Sequence, residues 1–289
     1  MRAATLPLGS PDAPHAGQPR LQWLRHNPTV VIGTAILLVF VLIALIAPAI
    51  TGDPLAFDPL NRLKKPSAEF WFGTDQLGRD VFSRVLHGTR ISMIVGATVA
   101  VVAIAIGLAI GVVCGYYRRV DDVVMRIMDG LMAIPPILLA IALITLMKAS
   151  LLIVVVAIAI PEIPRVVRLV RSVVLTVRGL PYIEAAIASG TRARLIMVRH
   201  ILPSTVAPLI VQATYVCAAA VLTEAGLSFL GAGTPPEIPS WGNVIASGRA
   251  YFQISPWIIF FPGLMLALAV LAINLVGDGL RDAFDVRLG

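Results

Sequence analysis

Residues 30–50 read VVIGTAILLVFVLIALIAPAI, 21 consecutive residues without a charge. A helix rises about 1.5 Å per residue, so such a run crosses a hydrocarbon core of about 30 Å. A backbone in lipid must satisfy its own hydrogen bonds, which leaves only helices and closed barrels as spanning structures. Further apolar stretches follow at about 91–117, 124–147, 150–170, 204–230 and 256–277. None shows the alternation of a barrel strand. The expected fold is therefore all-α and polytopic, with six transmembrane helices in one membrane-embedded domain over 29–289. Composition agrees, since 13% of residues are charged against about 25% in soluble domains. Residues 1–28 are polar and carry Pro7, Pro11, Pro14, Pro19 and Pro28, which predicts a flexible cytoplasmic tail. The first apolar run is too long for a typical signal-peptide core and reads as an uncleaved anchor.

Lysine and arginine set the orientation, because cytoplasmic loops of membrane proteins are enriched in them. Arg165, Arg168, Arg171, Arg178, Arg192, Arg194 and Arg199 lie in a stretch whose single acid is Glu184. That stretch is expected inside, together with both termini. Two loops are then outside, about 51–90 and about 231–255. The first mixes Arg62, Lys64, Lys65, Arg79, Arg84 and Arg90 with Asp53, Asp58, Glu69, Asp75 and Asp80. The second has a Pro-Pro pair, glycines and aromatics, and reads as an ordered loop. The formal net charge of +7 is thus a matter of topology. It is not gathered into the basic face that nucleic acid requires.

Catalytic and nucleotide-binding patterns are missing. The lysines are Lys64, Lys65 and Lys148, and none stands in a G-x-x-x-x-G-K-[ST] context. His15, His26, His87 and His200 are scattered, and no HExxH or GxSxG occurs. Cys114 and Cys217 lie in apolar stretches and read as small buried hydrophobes with no metal-site spacing. The chain is not expected to be an enzyme or to hold a cofactor or metal.

The segment EAAIASGTRARLIMVRHILP, 184–203, stands apart. Pro181 suits a first helical position, and Glu184 falls in the first turn, where a carboxylate favours the helix dipole. Ala185, Ala186, Ala188 and Ser189 keep that helix slim, and Gly190 stops or bends it. A second short helix is expected at about 192–200, and Pro203 precedes the fifth span. Two readings stand: a helix lying on anionic lipid, or a rod docking on a protein partner. A lipid helix wants a bulkier apolar face than these residues supply, which favours the partner.

Glu184-Ala185-Ala186, Gly190 four residues later and the closing Leu202-Pro203 resemble the EAA loop of ABC-importer permeases. His200 departs from the isoleucine often found there. Further stretches, FGTDQLGRDVFSRVLHGTRISM (72–93), AGLSFLGAGTPPEIPSWG (225–242) and NLVGDGLRDAFDVRL (274–288), resemble the dipeptide/oligopeptide/nickel permease group. Within it they resemble the DppC- and OppC-like subunits. The resemblance covers about residues 30–288. It implies a type I ABC-importer permease fold and half of a translocation pore for peptides in a bacterial inner membrane. It also implies a homologous second permease subunit, two ATPase subunits that bind the ATP, and a periplasmic or lipid-anchored substrate-binding protein. The loop at about 171–203 would couple to the ATPases through Glu184, Ala185, Ala186, Gly190, Arg192, Arg194, Leu202 and Pro203. Nickel chelates, glutathione or another peptide-like solute remain alternative cargoes. A self-sufficient secondary transporter or channel is an alternative of another class, as is a scaffold without transport. The secondary-transporter reading is weakened by the lack of an internal repeat.

Single residues carry further expectations. Glu162 and Glu224 lie within apolar stretches and are candidate pore or gate groups, although Glu162 can also pair with Arg165. Asp75 and Asp80 interleave with Arg79 and Arg84 as a salt-bridge lattice. Trp71, Trp241 and Trp257 are expected as interface anchors. Pro135, Pro136, Pro161 and Pro164 are expected to kink their helices. Asp278, Arg281, Asp282 and Asp285 read as a polar, helix-ending segment.

Overall fold

The structure is a computed structural model that describes residues 28–147 and 150–285. The expectations for the N-terminal tail, Lys148 and Arg287 lie outside the described residues. The long helices are α1 (Pro28–Ile50), α2 (Val81–Tyr116), α3 (Arg118–Ala133), α4 (Pro136–Leu146) and α5 (Leu151–Arg178). Two short helices, α6 (Pro181–Ala188) and α7 (Ala193–Ile196), lead into α8 (Leu202–Phe229). A further short helix, α9 (Trp241–Gly248), precedes α10 (Trp257–Asp285). No strand occurs among the described residues, which agrees with the all-α expectation.

Small residues let the helices approach. The most extensive pairing is α2 against α5. Gly107, Gly111 and Gly115 recur every four residues, so they share one face of α2. A Cβ on them would stand 2.5, 2.7 and 2.5 Å from the Cβ of Val166, Val170 and Val174 on α5. Those valines are fully buried, so the glycines form the groove that receives them. Such small-residue crossings are how helices associate where lipid removes the hydrophobic drive. Gly277 and Gly279 do similar work on α10, meeting Thr214 of α8 and Val30 of α1. Outward faces stay apolar, as with Leu38 and Leu45 of α1, and require lipid or a partner subunit to cover them.

The expectation of six similar spans is corrected in detail. α1, α2, the continuous run Ala193–Phe229 and α10 are long and apolar enough to cross a membrane. The expected span at 124–147 is instead the pair α3 and α4, bent by 90° at Pro135-Pro136, and it gives a fifth crossing if the pair acts as one. Pro136 occupies the start of α4, and neither proline can continue α3. α3 is amphipathic, with Asp121 and Asp129 on the side that meets α5. α5 is long but carries Glu162, Arg165 and Arg168, which a lipid-exposed helix would not tolerate. It is the interior helix here, lined by buried Val154, Val155, Val166, Val167, Val170 and Val174. Pro161 and Pro164 lie inside it without ending it.

Other expectations shift for local reasons. α2 begins at Val81 rather than near 91, because Asp80 caps it by accepting from the N–H groups of Phe82 and Ser83 at 3.1 and 3.2 Å. Burial pushes the Asp80 carboxyl pKa up, and those two N–H donors offset part of the shift. Asp75, not Asp80, is therefore the hub of the expected lattice. Trp241 is no interface anchor. It is fully buried, its Nε1 donates to Val85 O at 3.1 Å, and it meets Phe40 edge-on at 5.6 Å. Trp71 is exposed, and Trp257 is half-buried with Nε1 donating to Thr74 O at 3.3 Å. The polar segment from Asp278 to Asp285 forms the last turns of α10, which is described to Asp285.

Candidate functional site

The connection from α5 to α8 is a short helical hairpin whose stop is explicit. α6 ends in a Schellman motif: the Thr191 N–H donates to Ala186 O at 3.1 Å and the Gly190 N–H to Ile187 O at 3.0 Å. Gly190 has φ of 76°, a left-handed backbone that costs other residues about 1–2 kcal/mol. The chain then reverses into α7. Ile183, Ile196 and Ile201 are fully buried and anchor the hairpin. Glu184, Ala185, Gly190, Arg192 and Arg194 are exposed, and Ala186 is half-buried. Tyr182, Ile187, Leu195 and Val198 are exposed as well. This combination of small, apolar and cationic side chains on a backbone held by three buried isoleucines suits a protein interface.

Leu202 and Pro203 do not belong to a separate loop. They open α8, which runs on from α7 through a single π turn at Met197–Ile201. There the Leu202 N–H bonds to Met197 O, five residues back. Pro203 has no N–H and its ring crowds the preceding turn, and the wider π turn accommodates it. The expected second helix at 192–200 is thus the first part of a continuous α7–α8 rod. His200 lies 5.9 Å from the Tyr182 ring, so the residue that departs from the family pattern ties the rod to α6.

The arginines that marked this region divide into two groups. Arg165 pairs with Glu162 at 3.0 and 3.2 Å. Arg168 reaches Asp129 at 2.6 Å, and Arg171 makes a two-pronged pair with Asp121 at 2.5 and 2.6 Å. Arg178 donates to Tyr116 O at 2.9 Å and lies 5.3 Å from the Tyr116 ring. These four hold α5 to itself, to α3 and to the end of α2. Arg192, Arg194 and Arg199 are exposed instead.

At the other end of the bundle, polar groups are buried and interlocked. Asp75 is fully buried and accepts from Arg79 Nε at 2.7 Å and Arg84 Nη1 at 2.6 Å. It also accepts from the N–H groups of Leu77 and Arg79. Gly73 and Gly78, with φ of 72° and 75°, shape the loop around it. Glu224 is fully buried near the end of α8. Its Oε1 accepts from Ser228 Oγ and Ser240 Oγ at 2.8 Å and from Thr234 Oγ1 at 3.2 Å. Asn243 Nδ2 closes the ring on Thr234 O, Pro235 O and Ile238 O. Three protein hydroxyls satisfy Glu224 Oε1 and fasten α8 to the segment before α9, while the buried Oε2 has no partner among the described residues. Ser228, Thr234, Ser240 and Asn243 were not singled out in the sequence, although all but Asn243 lie in the 225–242 stretch.

Comparison with known proteins agrees with this architecture. Residues 103–289 match the family model for the binding-protein-dependent transport system inner membrane component. Residues 20–66 match the N-terminal TM domain of oligopeptide transport permease C. A probable peptide ABC transporter permease protein, y4tQ, of Sinorhizobium fredii is 57% identical over 94% of this chain and 96% of its own length. The dipeptide transport system permease protein DppC of Alkalihalophilus pseudofirmus is 43% identical over 92% of this chain and 88% of its own. The glutathione transport system permease protein GsiD of Pectobacterium atrosepticum is 41% identical, with 92% and 89% covered. In fold, a chain of the inward-facing MetNI methionine ABC transporter superposes with a TM-score of 0.55 and 22% identity, over 69% of this chain and 95% of that one. A helical bundle without strands among the described residues, a short exposed hairpin between two of its long helices and this relatedness along nearly the whole chain converge: the chain belongs to the binding-protein-dependent transport system inner membrane components, the permease subunits of ABC importers.

Proposed function

We propose that this permease forms half of a peptide-translocating pore and receives the ATPase stroke through the α6 hairpin. The observation that carries the proposal is the hairpin itself. It sets Glu184, Ala185, Arg192 and Arg194 beside exposed Tyr182, Ile187, Leu195 and Val198 on a backbone anchored by buried isoleucines. A rigid rod of this kind transmits a push as a body, through α5 and the α7–α8 rod that flank it. In this reading the hairpin is cytoplasmic, the Asp75 and Glu224 end is outside, and both termini are inside. ATP binds to two partner ATPases and not to this chain, a homologous second permease completes the pore, and a binding protein delivers cargo from outside. Glu224 and Glu162 are gate-side groups, each on an intrachain partner. Peptides are the favoured cargo because the relatives at 57% and 43% identity carry peptide and dipeptide transport names. The glutathione permease at 41% keeps a modified peptide as the second reading.

The test is a gentle pull-down of the tagged chain from its native membrane, read by mass spectrometry. Wild type is expected to bring down a sister permease and P-loop ATPases. Glu184→Arg and Gly190→Arg are expected to keep the sister permease and lose the ATPases. Retention of every partner by both variants would reject the hairpin as the docking element.

A further inference from the structure

A cavity of about 390 Å³ opens at the Asp75 end, between the 74–80 loop, the end of α8 and α9. Ligand pockets start at about 300 Å³. Its lining includes Gln76, Arg79, Arg84, Thr234, Asn243 and Ser247. The hydroxyls of Ser228 and Thr234 already donate to Glu224, and Asn243 Nδ2 is engaged by three backbone carbonyls. Apart from the Gln76 amide, the side-chain donors that remain are guanidinium N–H groups. Arg84 is 1% exposed and gives Nη1 to Asp75 and Ser247. Its buried Nε has no partner among the described residues, and neither does the buried Oε1 of Gln76. Asp75 is a single carboxylate shared by two guanidinium groups, so this wall carries an excess positive charge. An uncompensated buried cation is costly, and a carboxylate brought to this wall supplies the missing charge.

We infer that this cavity is a carboxylate subsite for the C-terminal residue of a peptide entering the pore. Such a residue offers a carboxylate to Arg79, whose side chain is 12% exposed, with the buried charge of Arg84 behind it. An acidic side chain presents the same carboxylate, so a delivering protein is the other source of the same chemistry. The inference rests on the permease reading above.

The test uses the complete importer, with sister permease and ATPases, in nanodiscs. Leu77→Cys at the cavity rim carries an environment-sensitive fluorophore, in a background of Cys114→Ala and Cys217→Ala. The probes are trialanine, trialanine amide and the cargo-free binding protein. Trialanine is expected to shift the emission saturably, with the amide about tenfold weaker or worse. Arg79→Gln is expected to weaken trialanine about tenfold and leave the amide unchanged. The acid-against-amide comparison needs no variant, and retention of the partner subunits checks the folding of Arg79→Gln. Equal responses to acid and amide, or none to either, overturn the subsite and leave a water-filled cavity. A response to the binding protein alone overturns the peptide assignment and gives the carboxylate to that protein. Loss of the ATPases and sister permease from the unmutated complex would instead sink the permease reading itself.

Discussion

Asp75 shows what one residue decides. It neutralises Arg84 at 2.6 Å, holds Arg79 at 2.7 Å and fixes two backbone N–H groups of its own turn. Removing one partner of a buried ion pair leaves an uncompensated charge and costs about 3–5 kcal/mol. Asp75→Asn keeps the shape and deletes the charge, so it should destabilise the protein by about that amount. Thermal unfolding of the detergent-solubilised protein checks this, and an unchanged midpoint would show that water already solvates Arg84. The lattice was legible in the sequence as alternating acids and arginines in 75–84. Which acid did the pairing was not, because capping by Asp80 and burial of Asp75 depend on where α2 starts. Glu224 was legible only as an acid in an apolar run. Ser228, four residues on, is its neighbour on the next turn of α8, but Thr234 and Ser240, 10 and 16 residues away, lie beyond the helix and no periodicity joins them to it.

At the scale of elements, the helix crossings are set by small residues and the hairpin by its stop. Gly111→Val would put a Cβ 2.7 Å from that of fully buried Val170. Overpacking of this kind costs about 1–3 kcal/mol. Gly111→Val combined with Val170→Ala should recover part of the loss, whereas Gly130→Val, whose Cβ meets nothing within 4 Å, should leave stability nearly unchanged. Denaturant unfolding of these proteins and of Val170→Ala alone measures the coupling, and strict additivity of Gly111→Val and Val170→Ala would refute the contact. The four-residue spacing of Gly107, Gly111 and Gly115 was present in the sequence as a signal for this face. Its partner on α5 was not, since a glycine ridge accepts any valine row of matching pitch. The hairpin was the more legible element: Pro181 at a helix start and Gly190 at a stop are local chemistry. The π turn before Pro203 was hidden because a proline in sequence reads equally as a helix start and as a break.

For the whole molecule, the open count is whether the bent α3–α4 pair crosses the membrane. If it does, and interior α5 crosses as a further span beyond the four and the pair, Leu60 and Ser189 lie on opposite faces, since α2, the pair and α5 separate them. If it does not, the two lie on one face. Leu60→Cys and Ser189→Cys in a Cys114→Ala and Cys217→Ala background should react with an impermeant maleimide from opposite sides of oriented vesicles. Reaction from one side would remove the α3–α4 pair as a crossing and reverse the hairpin's placement. The sequence by itself determined that this is a helical membrane protein, where its apolar runs lie, and that a short helix opens at Pro181 and stops at Gly190. Hydrophobic length, backbone hydrogen bonding and turn chemistry are local and need no partner to be read. Only the tertiary structure decided that charged α5 is interior and that Trp241 is core. It also brought Arg79, Arg84 and the ring around Glu224 to the walls of one cavity. Those outcomes depend on which helix faces meet, and a face is defined only by what packs against it.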